Sequence, residues 1–153
     1  MALLVKTILG EMEANMSVED TFGPLSNYED VCAFHEKFGL THNEGPHLLD
    51  RDTLAYRIKF LEEELFEFRV SSVSDDLEGM ADALIDLVYV AMGTAYMMGL
   101  PWQDLWQEVQ RANMSKVRAS SKEESKRGSS LDVVKPVGWK GPDIKGVLEN
   151  ARK

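Results

Sequence analysis

Apolar residues recur at helical spacing through the middle of the chain. Leu54, Ile58, Leu61, Leu65 and Phe68 follow one another at intervals of four and three, the period of one buried helical face. This predicts a long helix from about Asp52 to Val70, capped by Asp50 or Asp52. Residues 71–74 break the pattern. Ser74-Asp75-Asp76 restarts it, with acids in the first turn where the helix dipole favours them. The next helix runs to about Met98 and stops at Gly99, ahead of Pro101. From Met80 onward it is apolar on almost every side (Leu84, Ile85, Leu87, Val88, Ala91, Met92, Ala95), the mark of a buried helix. Upstream, Ser26 or Asn27 caps a helix from about Tyr28 to Phe38, ended by Gly39. Downstream, Pro101 opens a fourth helix reaching about Arg118, and a short helix spans Asp143 to about Ala151. No segment alternates with period two, so no sheet is expected. Antiparallel helices on short connections imply an all-α helical bundle.

At 153 residues the chain suits one domain with a core of its own. Residues 1–26 read as an N-terminal extension and 27–153 as the domain. Within the domain, the polar stretch 119–130 is expected to be a mobile loop, followed by a turn-rich tail. With 26 acidic residues against 17 basic ones, the net charge of −9 disfavours nucleic-acid binding, which needs phosphate neutralisation. It suits a protein that uses carboxylates to hold hard cations. The one cysteine, Cys32, forms no disulfide within the chain and reads as a small core residue. His35, His42 and His47 match no zinc pattern. The apolar start is interrupted by Lys6 and lacks a signal-peptide pattern, and no stretch approaches the roughly 18 apolar residues of a membrane span. A cytoplasmic location and no membrane partner are expected.

The informative chemistry is carried by two neighbouring helices. With a step of about 100° per residue, Glu63, Glu64 and Glu67 occupy a face separate from the apolar one. Tyr56 and Phe60 share that face, which a plainly solvated surface does not explain. On the second helix, Asp82 and Asp86 lie four apart on one strip of an otherwise apolar helix. Ionised carboxylates there are costly unless paired or bound to metal, and Lys and Arg are absent from 70 to 110. Oxygen-only donors favour Mg²⁺ or Mn²⁺, and five acids suffice for two or more ions bridging a polyphosphate. Di-iron bundles use Glu-x-x-His pairs, and no histidine lies on either helix. The bland alternative for Glu62 to Glu67 is a solvated helix face.

At these residues the chain resembles the all-α nucleotide pyrophosphohydrolases, the MazG-like proteins, with phosphoribosyl-ATP pyrophosphohydrolase as a more distant relative. Glu63-Glu64-Leu65-Phe66-Glu67 matches the E-E-x-x-E signature, and Asp86 resembles the aspartate of the E-x-x-D signature on the next helix. The chain departs at Ala83, where the second signature has its glutamate. Asp82 is the available substitute. Phe34 to Gly39, Arg111-Ala112-Asn113-Met114-Ser115-Lys116 and Lys135 to Ile144 resemble segments of a bacterial and phage branch. That branch includes dUTP hydrolases and enzymes acting on purine nucleotides.

The resemblance implies metal-dependent hydrolysis of a (deoxy)nucleoside triphosphate, with dUTP or (d)GTP as candidates, to the monophosphate and pyrophosphate. Glu64, Glu67, Asp82 and Asp86 would hold two or more Mg²⁺ or Mn²⁺ ions, and Glu63, a further ligand, would orient or deprotonate the attacking water. Arg111, Asn113, Lys116, Trp139 and Lys140 are the implied substrate contacts. A homodimer or homotetramer is implied too, consistent with a partner helix covering the Tyr56/Phe60 stripe. The competing readings are a phosphoribosyl-ATP pyrophosphohydrolase and a non-catalytic helical interaction module with a vestigial metal site.

Overall fold

A computed structural model describes residues 26–152; the expected extension, residues 1–26, lies outside them except for Ser26. Helix α1 (Asn27–Lys37) begins at a capping box. Ser26 Oγ accepts from the Glu29 amide, and Glu29 Oε2 accepts from the Ser26 amide at 2.7 Å. Helix α2 (Arg51–Val73) is capped by Asp50, whose Oδ1 accepts from the amides of Asp52 and Thr53. It absorbs residues 71–73, which the sequence pattern assigned to a break. The reversal falls at Ser74 and Asp75, the latter in the left-handed region at φ 53°. Asp76 then caps helix α3 (Leu77–Met97) by accepting from the Gly79 amide.

So short a turn makes α2 and α3 an antiparallel hairpin, and α1 packs on α3. The core gathers in the C-terminal half of α3, where Val90, Met92, Ala95, Tyr96 and Met97 are buried with Val31 of α1. Gly99 ends the helix at φ 62°. A Cβ there would strike the carbonyls of Asn43 and Gly45, so glycine is required on two counts. This close approach ties the 41–47 loop to the end of α3, where Asn43 Nδ2 donates to the Met97 carbonyl at 2.8 Å.

Burial differs from the periodic expectation. Leu54, Ile58 and Leu65 on the predicted core face of α2 are exposed, as are Leu84, Val88 and Ile85 (68%) of α3. The helix that reads as buried on all sides is buried only in its second half. By length and mean hydropathy α3 is also apolar enough to cross a membrane, contrary to the reading from apolar run length. The two differ because Asp82 and Asp86 interrupt the run without cancelling its average.

Helix α4 (Trp102–Met114) ends four residues before the predicted Arg118. Val117 and Arg118 instead form strand β1, paired antiparallel with β2 (Val133–Val134). This corrects the expectation of no sheet; two-residue strands are too short to show a period. The ribbon closes the loop 119–132, inside which Asp132 accepts from Ser125 Oγ at 2.7 Å and from Arg127 at 2.9 Å. Helix α5 (Ile144–Asn150), capped by Asp143, packs on α4.

Candidate active site

Helices α1, α2 and α3, with residues 39–41, line an open cavity of about 670 Å³. Glu64 of α2 and Asp86 of α3 line it together, with aromatic walls from Phe34, Tyr56, Phe60 and Tyr89. The Tyr56 and Phe60 rings stand 5.1 Å apart, and Tyr89 meets Phe34 edge-on at 5.5 Å. The aromatic pair that sequence assigns to a partner contact therefore faces a concave site within the chain.

Glu64 is the centre of the acidic group. It is half-buried, and its Oε2 is buried without a hydrogen-bond partner among the described residues. Burial raises its carboxyl above the ordinary carboxylate range, and the negative charges of Glu67, Asp86, Glu63 and Asp82, in that order, raise it further. The other four acids singled out by sequence thus act on this one. Among the described residues, none of the five forms an ion pair with Lys, Arg or His. Nor do any three of the described His, Cys, Asp or Glu side chains stand close enough together to enclose an ion as they are. The donor set still fits a hard cation in kind: carboxylate oxygens only, one of them orphaned and buried. Ala83 is 2% exposed and packed inside, whereas Asp82 is exposed and supplies charge near Glu64.

Two further cavity residues are not among the site residues that the sequence singles out. Arg57 (7% exposed) donates from Nε to Thr94 Oγ1 at 3.0 Å and from Nη2 to the Val90 carbonyl at 2.7 Å. His35 (2% exposed) lies beside it, its Nδ1 unpartnered among the described residues. Burial, and then the Arg57 charge, lower the His35 pKa, which favours the neutral ring. Gly93 admits both side chains, since a Cβ there would meet His35 Nε2 at 2.5 Å and Arg57 Nη2 at 3.2 Å. A glycine within an apolar helical run was the available signal for such a close approach. Cys32 is half-buried, with its thiol pKa pushed up mainly by burial, in keeping with a packing residue.

The implied substrate contacts lie elsewhere. None of Arg111, Asn113, Lys116, Trp139 and Lys140 lines the cavity with Glu64 and Asp86. Arg111 makes a two-bond pair with Glu108 and donates to the Gly141 carbonyl at 3.1 Å. Glu108 also accepts from the Asp143 amide, so the pair clasps the tail onto α4. Trp139 Nε1 donates to the Ala112 carbonyl at 2.9 Å, and its ring lies beneath the ammonium groups of Lys135 and Lys116. Lys116 donates to Asn113 Oδ1 at 2.8 Å. Lys140 is exposed.

Among known proteins, a family model described as phosphoribosyl-ATP pyrophosphohydrolase matches residues 31–113. The match covers α1 to α4 up to Asn113 and stops before the ribbon and the tail. No curated protein matches the chain.

Proposed function

The chain belongs to the phosphoribosyl-ATP pyrophosphohydrolase family, and from that premise we propose that it hydrolyses a (deoxy)nucleoside triphosphate to the monophosphate and pyrophosphate with the help of Mg²⁺ or Mn²⁺. Membership carries the coarser statement, that its activity is of the nucleotide pyrophosphohydrolase type, a hydrolase acting on an acid anhydride. The observation that supports the finer reading is Glu64: a half-buried carboxylate with an orphan oxygen, raised by burial and then by four other acids, and balanced by no ion pair among the described residues. Positive charge placed beside such a group favours its ionised form.

Glu64, Glu67, Asp82 and Asp86 would hold the ions. When bound, these ions supply charge that offsets the triphosphate and favour ionisation of a water. Glu63 orients the attacking water and takes up its proton, a role that Glu67 can exchange with it. The water oxygen joins phosphorus as the anhydride oxygen between the monophosphate and the pyrophosphate departs. The aromatic walls offer flat surfaces to the nucleoside.

The assembly proposed is a homodimer or homotetramer. Leu54, Ile58, Leu65, Leu84, Ile85 and Val88 of the hairpin are exposed in the single chain, side chains that a partner surface would cover. A second copy is the occupant proposed for it, and light scattering at micromolar concentration should give twice or four times 17.2 kDa.

A panel of the common ribo- and deoxynucleoside triphosphates with Mg²⁺ or Mn²⁺, products separated by chromatography, tests the reaction. Monophosphate with pyrophosphate from one or a few of them is expected. Nucleoside diphosphate with phosphate would overturn it. Turnover of phosphoribosyl-ATP alone would move the substrate to the family's namesake, and metal binding without turnover of any nucleotide would indicate an interaction module.

A further inference from the structure

Among the described residues, Arg57 is the only lysine or arginine lining the cavity that Glu64 and Asp86 share. A guanidinium carries five N–H donors and no acceptor. Arg57 spends two of the five, on Thr94 Oγ1 and the Val90 carbonyl, leaving three with no protein acceptor among the described residues. No carboxylate lies within ion-pair distance of it there. The two bonds it makes, and the Phe60 ring 5.5 Å from its central carbon, fix the plane of the group. Nη1, which makes no hydrogen bond among the described residues, is not among the buried unpartnered atoms, so its donors are open to the cavity, where a ligand's acceptor can replace water.

Position indicates which part of a nucleotide that is. Arg57 precedes Glu64 by seven residues on α2, nearly two full turns, so both occupy one strip about 10 Å apart along the axis. That is about the distance from the phosphates of a nucleotide to the far edge of its base. Tyr56 and Phe60 belong to the same stretch of wall, with Phe34 and Tyr89 also lining the cavity. Apolar ring faces suit a base, whereas phosphates belong with the ions at the carboxylate end.

On the nucleotide-hydrolase reading above, we infer that Arg57 reads the edge of the base and makes the site select bases presenting a carbonyl oxygen there: guanine or hypoxanthine among purines, uracil or thymine among pyrimidines. Guanine offers O6 and N7 as paired acceptors to an arginine fork. Adenine and cytosine place an amino group at the corresponding position, where donor would meet donor and both would be left unpaired. His35, held neutral beside Arg57, adds no competing charge.

The test compares kcat/KM for GTP against ATP and for UTP against CTP, and likewise for the deoxy series, in wild type, Arg57→Gln and Arg57→Lys. Calorimetric binding of GMP, AMP, UMP and CMP supplies a readout free of turnover. Wild type should prefer the carbonyl base in at least one pair by roughly 10- to 100-fold. Arg57→Gln, which can donate or accept, should reduce that ratio to within a few-fold of unity. Arg57→Lys, which keeps the charge but loses the fork, should narrow it partway. Equal use of both bases by wild type, preference for adenine or cytosine, or a preference that survives Arg57→Gln would overturn the inference. If Arg57→Gln does not fold, the wild-type ratio and its narrowing in Arg57→Lys decide. If no triphosphate is turned over, the hydrolase reading fails separately, and monophosphate binding by wild type and Arg57→Lys still decides the role of Arg57.

Discussion

The α2–α3 hairpin and the segment from Arg111 to Lys140 carry opposite charge and use it in opposite ways. Residues 111–140 hold eight Lys and Arg against three acids, a net of +5. The remainder of the chain, with nine basic and 23 acidic residues, therefore carries −14 of the overall −9. In the basic segment several charges are spent locally: Arg111 on Glu108 and the Gly141 carbonyl, Arg127 on Asp132, Lys116 on Asn113. Those bonds hold the tail and close the 119–132 loop. In the hairpin, Glu63, Glu64, Glu67, Asp82 and Asp86 have no ion-pair partner among the described residues, and Arg57 has none either. Charge that is paired at home holds structure. Charge left unpaired at a cavity wall marks where a ligand's charge belongs.

The largest effects that would break this contrast lie in the hairpin. Glu64→Gln and Asp86→Asn should each lower metal-dependent hydrolysis by at least about 100-fold while the protein stays folded, measured by steady-state kinetics and circular dichroism. Near-normal turnover in either variant would remove the carboxylates from the mechanism. The metal-free protein sharpens the point through pH. The raised carboxyl of Glu64 favours the folded state when protonated. Its contribution is complete below the ordinary carboxylate range and disappears as pH rises through the raised value. Metal-free Glu64→Gln should therefore melt no lower than wild type at pH 7, and should lack this part of the stability gained on acidification.

In the basic segment the expected losses are structural. Trp139→Ala removes a half-buried ring and the bond to the Ala112 carbonyl, and should cost about 2 kcal/mol in denaturant unfolding. Ser26→Ala, which breaks the capping box of the helix that carries His35, should cost about 1 kcal/mol. The smallest effect is local. The Arg111 guanidinium and the Asp143 amide lower the Glu108 carboxyl to about 2. The clasp is thus complete above the ordinary glutamate range and is lost as pH falls toward 2. Amide exchange across 141–147 should speed up over that interval in wild type. In Glu108→Gln it should already be faster at neutral pH, with less change on acidification.

Much of this frame was legible in residue order. Ser26 and Asp50 were legible as caps, Ser74-Asp75-Asp76 and Asp143 as helix starts and Gly99 as a stop, because each is a local hydrogen-bond or φ requirement that the residue type reveals. The acidic group was legible because helical spacing places Glu64 and Asp86 on defined strips and the Lys/Arg gap leaves them unbalanced. What was not legible depends on distant partners. The β1–β2 ribbon joins Val117 to Val134 and Arg118 to Val133, far apart in the chain, and leaves no periodic trace. Arg57 looks like one more charge on a polar strip until α3 passes it at Gly93 and buries it. The stripe of Leu54, Ile58 and Leu65 has the period of a core face, yet it is exposed in one chain, because periodicity identifies an apolar face without naming what covers it.

On the function proposed above, the unpaired carboxylates around Glu64 are kept for a divalent cation. Calorimetric titration of Mn²⁺ into wild type, Glu64→Gln and Asp86→Asn, without nucleotide, tests it most directly. Saturable binding to wild type is expected, weakened at least about tenfold in each variant, with a rise in the melting temperature of wild type that the variants do not share. Equal binding in all three proteins, or none in wild type with or without added triphosphate, would contradict it.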